Sequence, residues 1–417
     1  MLTLSRYGAS IDIGTSHICI NLLSLDECEL LGHSVESNPQ SVVGADVVTR
    51  LKYHASKTRR VLDLSKLVRN HIDSQLYEML DSLSLPLGSI SKAVIVGNSV
   101  MHHLLFDKDI TPLLIEPFVG IDKHDISCNG QEIDIITLKG TSLYSPPLVG
   151  GFIGNDAIAA VIESGISRQE KKALLMDIGV NTEVGLYDGE RTYFASAASG
   201  PAFEEMSIAN GMSAKEGAIS GFELGNESTP SNIQTIRNAL AQGICGSGSI
   251  SIVATLVENG LVDRCGTFVS PEESPYIERR GNSRIFKVMR GRNDWIVLTQ
   301  RDVRMIQQSK AAIRAAIEVL FQETGIFPED IEDLYITGEF GVSLNPQEAF
   351  RIGMIPKLPN AEIRQEANGA IKGANKILCS ASGEELCYSI SEQVRYVNLT
   401  SNALFDKEYG IHRLFQC

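Results

Sequence analysis

A short motif occurs twice in the chain and constrains the fold more than any other feature. Asp12-Ile13-Gly14-Thr15 ends an apolar run that begins at Tyr7, and Asp177-Ile178-Gly179-Val180-Asn181 ends one that begins at Ala173. At both places the pattern predicts a strand, a tight turn at the glycine and a second strand. Helical segments, an apolar strand and a glycine turn follow each hairpin, so the sequence predicts an internal duplication.

Hydrophobic periodicity predicts the elements of each half. In the first half we expect strands over 7–13, 17–25, 29–36 and 92–96, a helix over 64–84, and a turn at Gly97-Asn98-Ser99. In the second half we expect strands over 173–177, 182–187, 191–196 and 333–337, and helices over 249–260, 301–323 and 370–380. The alternation of strands and helices predicts an α/β fold with a cleft between two lobes.

The charged stretch Ser167 to Lys172 is the best boundary between the halves. We therefore expect lobe I over residues 1–168 and lobe II over residues 169–417. A C-terminal segment of lobe II could pack back on lobe I. A length of 417 residues fits two or three domains of ordinary size.

Composition excludes several classes of protein. The net charge of −14 argues against general binding to nucleic acid, which needs a basic face. The chain has no apolar run long enough for a membrane span and no signal-peptide core, so we expect a cytoplasmic protein without a membrane partner. The eight cysteines include no CxxC pair. This spacing predicts reduced thiols and no iron–sulfur cluster on this chain.

The two Asp-Ile-Gly hairpins suit the binding of phosphate and magnesium. Glycine lets backbone N–H groups approach phosphate oxygens closely, because it has no Cβ. The carboxylates of Asp12 and Asp177 can hold Mg²⁺ through water molecules. A single copy of such a tetrapeptide is weak support, but two copies at matching points of similar halves favour a nucleotide site.

Two further glycine turns have the form of nucleoside or anion sites. Gly338-Glu339-Phe340-Gly341 follows a predicted strand, where its glycines would let a nucleoside lie against the backbone. Gly246 and Gly248 lie in a loop that opens a predicted helix, and helix N-termini attract anions. Cys245, in the same loop, is expected to be a small packed residue, since no nearby His or Lys would activate its thiol.

These four elements, in this order, resemble the ASKHA superfamily, which includes actin, the Hsp70 chaperones and the sugar kinases. The resemblance implies a duplicated fold with two lobes around an ATP cleft. Longer stretches resemble one branch, the ATP-dependent reductive activators of corrinoid proteins. Those stretches are 38–50, 96–106, 148–160, 176–189, 197–219, 243–248, 309–320, 336–341 and 351–359. The most specific is 197–219, with Gly200-Pro201-Ala202-Phe203-Glu204, which generic sugar kinases lack.

The resemblance implies an ATPase that returns a Co(II) corrinoid protein to Co(I) with the help of ATP and Mg²⁺. Asp12 and Asp177 would organise Mg²⁺, Glu183 would orient the attacking water, and Asp156 is a further catalytic candidate. Phosphate contacts are expected from Gly14, Thr15, Gly179, Asn181 and Thr182, and nucleoside contacts from Gly246, Gly248, Gly338 and Gly341.

The resemblance also concerns partners. Ser380, at the end of a predicted helix, is a candidate for contact with the corrinoid, although a helix-terminal polar role is the alternative. The chain begins at its first phosphate motif, whereas known branches of the family carry an iron–sulfur domain. Electrons would therefore come from a separate low-potential ferredoxin or flavodoxin. A homodimer is compatible with the family.

Three other interpretations remain open at this stage. A small-molecule kinase of the same fold could use Asp156 or Asp177 as its base. A non-catalytic nucleotide-binding regulator is favoured slightly by Val180, because the family more often has Thr there. An iron–sulfur activator of acyl-CoA dehydratases would need a cysteine motif that this sequence does not show.

Overall fold

The computed structural model describes residues 6–44, 46–56, 62–118, 120–179, 181–200, 208–225, 230–292, 294–338 and 340–415. The strands are β1 (Tyr7–Ile13), β2 (His17–Ser24), β3 (Leu30–Ser37), β4 (Ile90–Gly97), β5 (Ile126–Asn129), β6 (Ser142–Ser145), β7 (Ala173–Ile178), β8 (Thr182–Tyr187), β9 (Thr192–Ala197), β10 (Ala218–Leu224), β11 (Pro230–Thr235), β12 (Gly243–Ile244), β13 (Ile277–Arg280), β14 (Ser283–Arg290), β15 (Trp295–Thr299), β16 (Asp333–Thr337), β17 (Glu362–Gln365) and β18 (Val394–Tyr396).

The α-helices are α1 (Val47–Ala55), α2 (Leu64–Ser82), α3 (Ser99–Leu105), α4 (Asp156–Ser164), α5 (Gly246–Glu258), α6 (Gln300–Thr324), α7 (Pro346–Arg351), α8 (Gly369–Cys379), α9 (Gly383–Gln393) and α10 (Ala403–His412). Local signals set several of these ends. Thr299 and Asp302 form a capping box at the start of α6, and Gly325 ends it in the left-handed conformation. No helix within the described ranges is long and apolar enough to cross a membrane.

The chain forms two compact units, and the first consists of Met1–Lys172, Tyr187–Phe194 and Asn368–Thr400. Its six-stranded sheet has the order β3-β2-β1-β4-β6-β5. β1 pairs antiparallel with β2 and parallel with β4, and β6 continues the parallel part beside β4. Helix α8 packs on β1, β4 and α4, so an element from late in the sequence covers this sheet.

The second unit consists of Ala173–Leu186, Ala195–Ala367 and Ser401–Cys417. The sheet that contains β7 includes the order β17-β16-β7-β8-β9. β16 runs parallel to both β7 and β17. This order repeats the arrangement β6-β4-β1-β2-β3 of the first unit, and the repetition confirms the predicted duplication.

Most predicted elements are confirmed with ends that differ by one or two residues. The exception is the helix predicted over 249–260, because α5 already begins at Gly246, and Gly246 and Gly248 form its first turn rather than a preceding loop. Two three-stranded sheets, β11-β10-β12 and β13-β14-β15, were not predicted. Both lie in the chain between β9 and α6, and α5 packs on β10.

Candidate functional site

The first Asp-Ile-Gly motif lies at the carboxyl end of β1, beside the end of β4. Ile13 pairs with Gly97 in the parallel ladder, so the predicted turn at Gly97 adjoins the predicted phosphate loop. A Cβ at Gly97 would lie 2.7 Å from the carbonyl oxygen of Ile13. Glycine is therefore required for this close approach of the two strand ends.

Two asparagines hold the loop that follows Asp12. Asn38 donates from Nδ2 to the carbonyl oxygen of Gly14 over 2.9 Å. Asn98 donates from Nδ2 to Oγ1 of Thr15 over 3.2 Å, while its Oδ1 caps the start of α3. The loop is thus fixed by side chains from two other elements. Our sequence reasoning used Asn98 only as part of a turn and missed Asn38.

Asp156 begins α4 at the same edge of the sheet. The preceding Asn155 is fully buried, and its Oδ1 accepts the backbone N–H of Gly97 over 2.9 Å. A Cβ at Gly154 would lie 1.9 Å from the carbonyl oxygen of Gly97, so only glycine allows α4 to start here. The structure therefore brings Asp156 to the strand ends that carry Asp12. Sequence reasoning did not identify Asn155, whose hydrogen bond joins the start of α4 to the end of β4.

The second Asp-Ile-Gly motif adjoins the predicted nucleoside turn within the second unit. Asp177 pairs with Thr337 in the parallel ladder of β7 and β16. The next residue, Gly338, has φ +92°, and a Cβ there would lie 2.6 Å from Oδ1 of Asp177. Its left-handed conformation and this close approach both require glycine. A Cβ at Gly341 would lie 2.9 Å from Cγ2 of Ile336.

Burial raises the pKa of Asp177 to about 6, well above the ordinary value for a carboxyl group. Desolvation of the carboxylate is the cause of this shift. A bound cation would favour the ionised carboxylate. The environment of Asp177 therefore suits a residue that faces a metal ion when a ligand is present.

A serine that sequence reasoning missed supports the second hairpin. Ser199 is buried, and its Oγ donates to the carbonyl oxygen of Gly179 over 3.1 Å. The same hydroxyl lies 3.0 Å from Oγ1 of Thr182. Glu183 accepts a hydrogen bond from Ser196 Oγ over 3.2 Å, which orients its carboxylate. Ser199 lies in the stretch 197–219, which resembles the family most specifically. That resemblance was the sequence signal that could have identified Ser199.

Unlike the other candidate glycines, Gly246 and Gly248 lie in the first turn of a helix, α5. A Cβ at Gly248 would lie 1.9 Å from the carbonyl oxygen of Ile219, so this glycine lets α5 pack on β10. The Cys245 thiol is buried and donates to the same carbonyl oxygen over 3.1 Å, as the packing interpretation predicts. A contact of Gly246 or Gly248 with the nucleoside stays a prediction.

Ser380 lies at the exposed C-terminal end of α8, in the first unit. Its Oγ accepts the backbone N–H of Ser382 over 3.2 Å. This bond is the polar role expected at a helix end, and a contact with a corrinoid stays a prediction. Val180, Glu339 and the part 201–204 of the Gly200 to Glu204 stretch lie outside the described residues.

The Asp-Ile-Gly carboxylates, each taken within its own unit, are of the ligand type that magnesium bound to a nucleotide uses. Among the residues that the structure describes, no three His, Cys, Asp or Glu side chains form a metal-binding group. Magnesium bound to nucleotides keeps most of its water and uses one or two carboxylates. Asp12 and Asp177 each end a strand beside a glycine turn, which provides that type of ligand.

Comparisons with known proteins agree along the whole chain. A model of the RACo middle region matches residues 7–169, and a model of the C-terminal domain of RACo, the ASKHA domain, matches residues 171–416. The chain is 30% identical over 421 residues to the corrinoid activation enzyme RamQ of Eubacterium limosum, which covers 98% of this chain and 70% of the relative.

One further relative and one solved structure support the same family. A Co(II) methylated amine-specific corrinoid protein reductase of Methanosarcina barkeri is 25% identical over 420 residues, or 93% of this chain and 73% of the relative. A solved reductive activator for corrinoid, iron-sulfur protein superposes with a TM-score of 0.88 at 27% identity, over 100% of this chain and 67% of that one. The chain therefore belongs to the RACo family, the ASKHA-type reductive activators of corrinoid proteins.

Proposed function

We propose that this chain hydrolyses ATP and thereby promotes reduction of a Co(II) corrinoid protein to Co(I). The observation that carries the proposal is the duplicated Asp-Ile-Gly hairpin, because each copy lies at the carboxyl end of a strand beside another glycine turn. In the second copy, Gly338 at the end of β16 adjoins the partly buried carboxylate of Asp177. The relatives named as a corrinoid activation enzyme and a Co(II) corrinoid protein reductase supply the substrate class.

Each candidate residue has one role in this proposal. Asp12 and Asp177 would hold Mg²⁺ through water, and the ion would supply neutralisation of the phosphate charge. The loops at Gly14 and Gly179 donate backbone N–H groups to the phosphates. Glu183, oriented by Ser196, positions the attacking water. The remaining proposed roles are phosphate contacts for Thr15, Asn181 and Thr182, nucleoside contacts for Gly246, Gly248, Gly338 and Gly341, and a further catalytic role for Asp156.

ATP can drive an unfavourable reduction only through differential binding. The ATP-bound and ADP-bound forms of the chain must differ in affinity for the Co(II) and Co(I) states of the partner. The electron itself comes from a separate low-potential ferredoxin or flavodoxin in our proposal. A homodimer and the approach of Ser380 to the corrinoid are further parts of the proposal.

The test combines ATP turnover with the visible spectrum of cobalt. The purified chain is mixed with ATP, Mg²⁺, a low-potential reductant and each of several Co(II) corrinoid proteins. We expect ATP-dependent appearance of Co(I) with at least one partner. ATP binding without any change in cobalt would instead favour a small-molecule kinase or a nucleotide-binding regulator.

Asp12→Asn provides the residue-level test. This variant keeps the shape of the side chain but removes the charge, so we expect ATP turnover to fall by about 100-fold or more. Asp134→Asn is a matched control in the same unit, because Asp134 is exposed and has a left-handed backbone that asparagine tolerates. Full ATP turnover by a folded Asp12→Asn chain would contradict the proposal.

A further inference from the structure

Two thiols from distant parts of the sequence meet at the surface of the first unit. Cys28 lies in the turn between β2 and β3, and Cys379 is the last residue of α8. The Sγ of Cys28 lies 4.0 Å from the main-chain oxygen of Cys379, so the two cysteines are neighbours at this surface. The residues are 351 positions apart, so the contact depends on how α8 packs on the sheet.

Several contacts fix the end of α8 relative to that turn. Asn21 of β2 donates from Nδ2 to Oδ1 of Asn375 over 3.2 Å. A Cβ at Gly8 would lie 2.9 Å from Cδ2 of Leu378 and 2.7 Å from Cδ2 of Leu25, so helix, strand and turn pack closely. The helix end therefore has little freedom to move away from Cys28, and the two thiols remain neighbours in the folded chain.

The two thiols differ in their access to solution. The side chain of Cys28 is exposed, and that of Cys379 is partly buried. Burial and the contact with Cys28 raise the pKa of Cys379 to about 12. Because the thiolate is the nucleophile, a small oxidant in solution reacts first at Cys28. Cys379 is placed to act second.

We propose that Cys28 and Cys379 are a reversible disulfide site that responds to small-molecule disulfides such as oxidised glutathione. This inference does not depend on the proposed ATPase function, because it rests on the packing of α8 alone. The site suits a crosslink because the Cys28 thiol already lies against the main chain of Cys379, and a disulfide requires two neighbouring residues.

The chemistry proceeds by two exchange steps that balance. The Cys28 thiolate attacks one sulfur of oxidised glutathione, the glutathione S–S bond breaks, and the first glutathione leaves and takes up a proton. The Cys379 thiolate then attacks the sulfur of Cys28, the mixed disulfide breaks, and the second glutathione leaves and takes up a proton. The protein loses two electrons and two protons, and one oxidised glutathione becomes two reduced molecules.

The disulfide would join the β2–β3 turn to the end of α8. Ser380 follows Cys379 directly, so the crosslink would also restrain the exposed segment that contains Ser380 and Ser382. This segment would therefore be less mobile in the oxidised chain than in the reduced chain.

The experiment equilibrates the full chain with glutathione buffers of increasing oxidised fraction. Free thiols are then blocked with N-ethylmaleimide, and the peptides are mapped by mass spectrometry without reduction. We expect one crosslinked peptide pair that contains Cys28 and Cys379 and disappears with excess dithiothreitol. Under the same conditions, Cys379→Ser should stop at the mixed disulfide and accumulate glutathione on Cys28.

Cys265→Ser is the matched control, because Cys265 is also exposed but belongs to the second unit. This variant should form the Cys28–Cys379 crosslink as the unaltered chain does. Independent modification of both thiols by glutathione, or a crosslink to another cysteine, would overturn the proposal.

A second measurement needs no variant, because phenylarsine oxide bridges adjacent dithiols. It should protect Cys28 and Cys379 together from N-ethylmaleimide, and protection of neither would overturn the proposal.

Discussion

The carboxylate of Asp177 has low solvent access, although the role that we propose for it needs its charge. Its pKa is raised to about 6 by burial, whereas the unfolded chain has an ordinary carboxyl pKa of 3.8. Folding therefore favours the protonated form. The free energy of unfolding decreases as pH rises from about 4 to about 6, because the ionised group is less favourable in the folded chain than in water.

We predict that Asp177→Asn is more stable than the unaltered chain at pH 8, in the absence of nucleotide. The gain follows from removal of a desolvated charge and should reach up to about 3 kcal/mol, at 1.36 kcal/mol for each pKa unit. The difference should vanish below about pH 3, where Asp177 is protonated in both the folded and the unfolded chain. Urea unfolding at the two pH values measures it. A less stable Asp177→Asn chain at pH 8 would mean that hydrogen bonding of the carboxylate outweighs its desolvation.

Sequence patterns predicted the charged residues of the candidate site better than the neutral residues that hold them. Asp12 and Asp177 could be identified because each ends an apolar run and precedes a glycine. The hydrogen bonds of Asn38, Asn155 and Ser199 could not be predicted, since they join these side chains to backbone groups distant in sequence, although Ser199 lies in the specific stretch 197–219. No periodicity or spacing encodes such a bond.

At the scale of elements, glycines determine which helices can pack closely. A Cβ at Gly373 of α8 would lie 1.9 Å from the carbonyl oxygen of Ala159 in α4. At Gly410 of α10, by contrast, a Cβ would meet nothing within 4 Å. Both residues are inside helices, so they differ in their surroundings rather than in their backbone conformation.

We predict opposite effects for the same substitution at these two positions. Gly373→Ala should lower the free energy of unfolding of the first unit by about 3 kcal/mol or more, because a backbone oxygen cannot yield as a side chain can. Gly410→Ala should raise stability by up to about 1 kcal/mol through helix propensity alone. Thermal unfolding of the two variants measures both effects. Equal free energies of unfolding for the two variants would show that α4 and α8 can move apart without loss of stability.

Some strands between β9 and α6 were not predicted because their sequences carry a weak signal. β12 has only two residues, and β13 reads Ile-Glu-Arg-Arg, which shows no clear alternation of apolar and polar positions. Such strands form because neighbouring strands supply their hydrogen bonds. Longer elements with an apolar face, such as α2 and α6, carry their own signal and were predicted almost to their ends.

At the scale of the whole molecule, the two final segments of the chain stabilise different units. Residues 368–400 belong to the first unit, and residues 401–417 belong to the second. In the second unit, the buried amine of Lys310 donates to the carbonyl oxygen of Leu414 over 2.6 Å. Loss of that segment would leave Lys310 without this acceptor.

We predict that two truncations separate these contributions. A chain of residues 1–400 should keep slow amide exchange in β1 and β4 but exchange faster in α6, which loses α10 and the acceptor of Lys310. A chain of residues 1–367 should exchange rapidly in β1 and β4 as well, because α8 no longer covers them. Hydrogen–deuterium exchange of both chains provides the test. Equal protection of β1 and β4 in the two chains would contradict the assigned role of α8.

The late position of α8 in the sequence also sets an order of events during protein synthesis. The six-stranded sheet of the first unit is made before residue 172, but the helix that covers β1 and β4 ends at Cys379, about 200 residues later. At about 5–20 residues per second, the ribosome needs roughly 10–40 s to add that stretch. Throughout this interval the apolar face of β1 and β4 lacks its cover, so the nascent chain offers it to chaperones. The sheet of the first unit is therefore covered only after most of the second unit has been made.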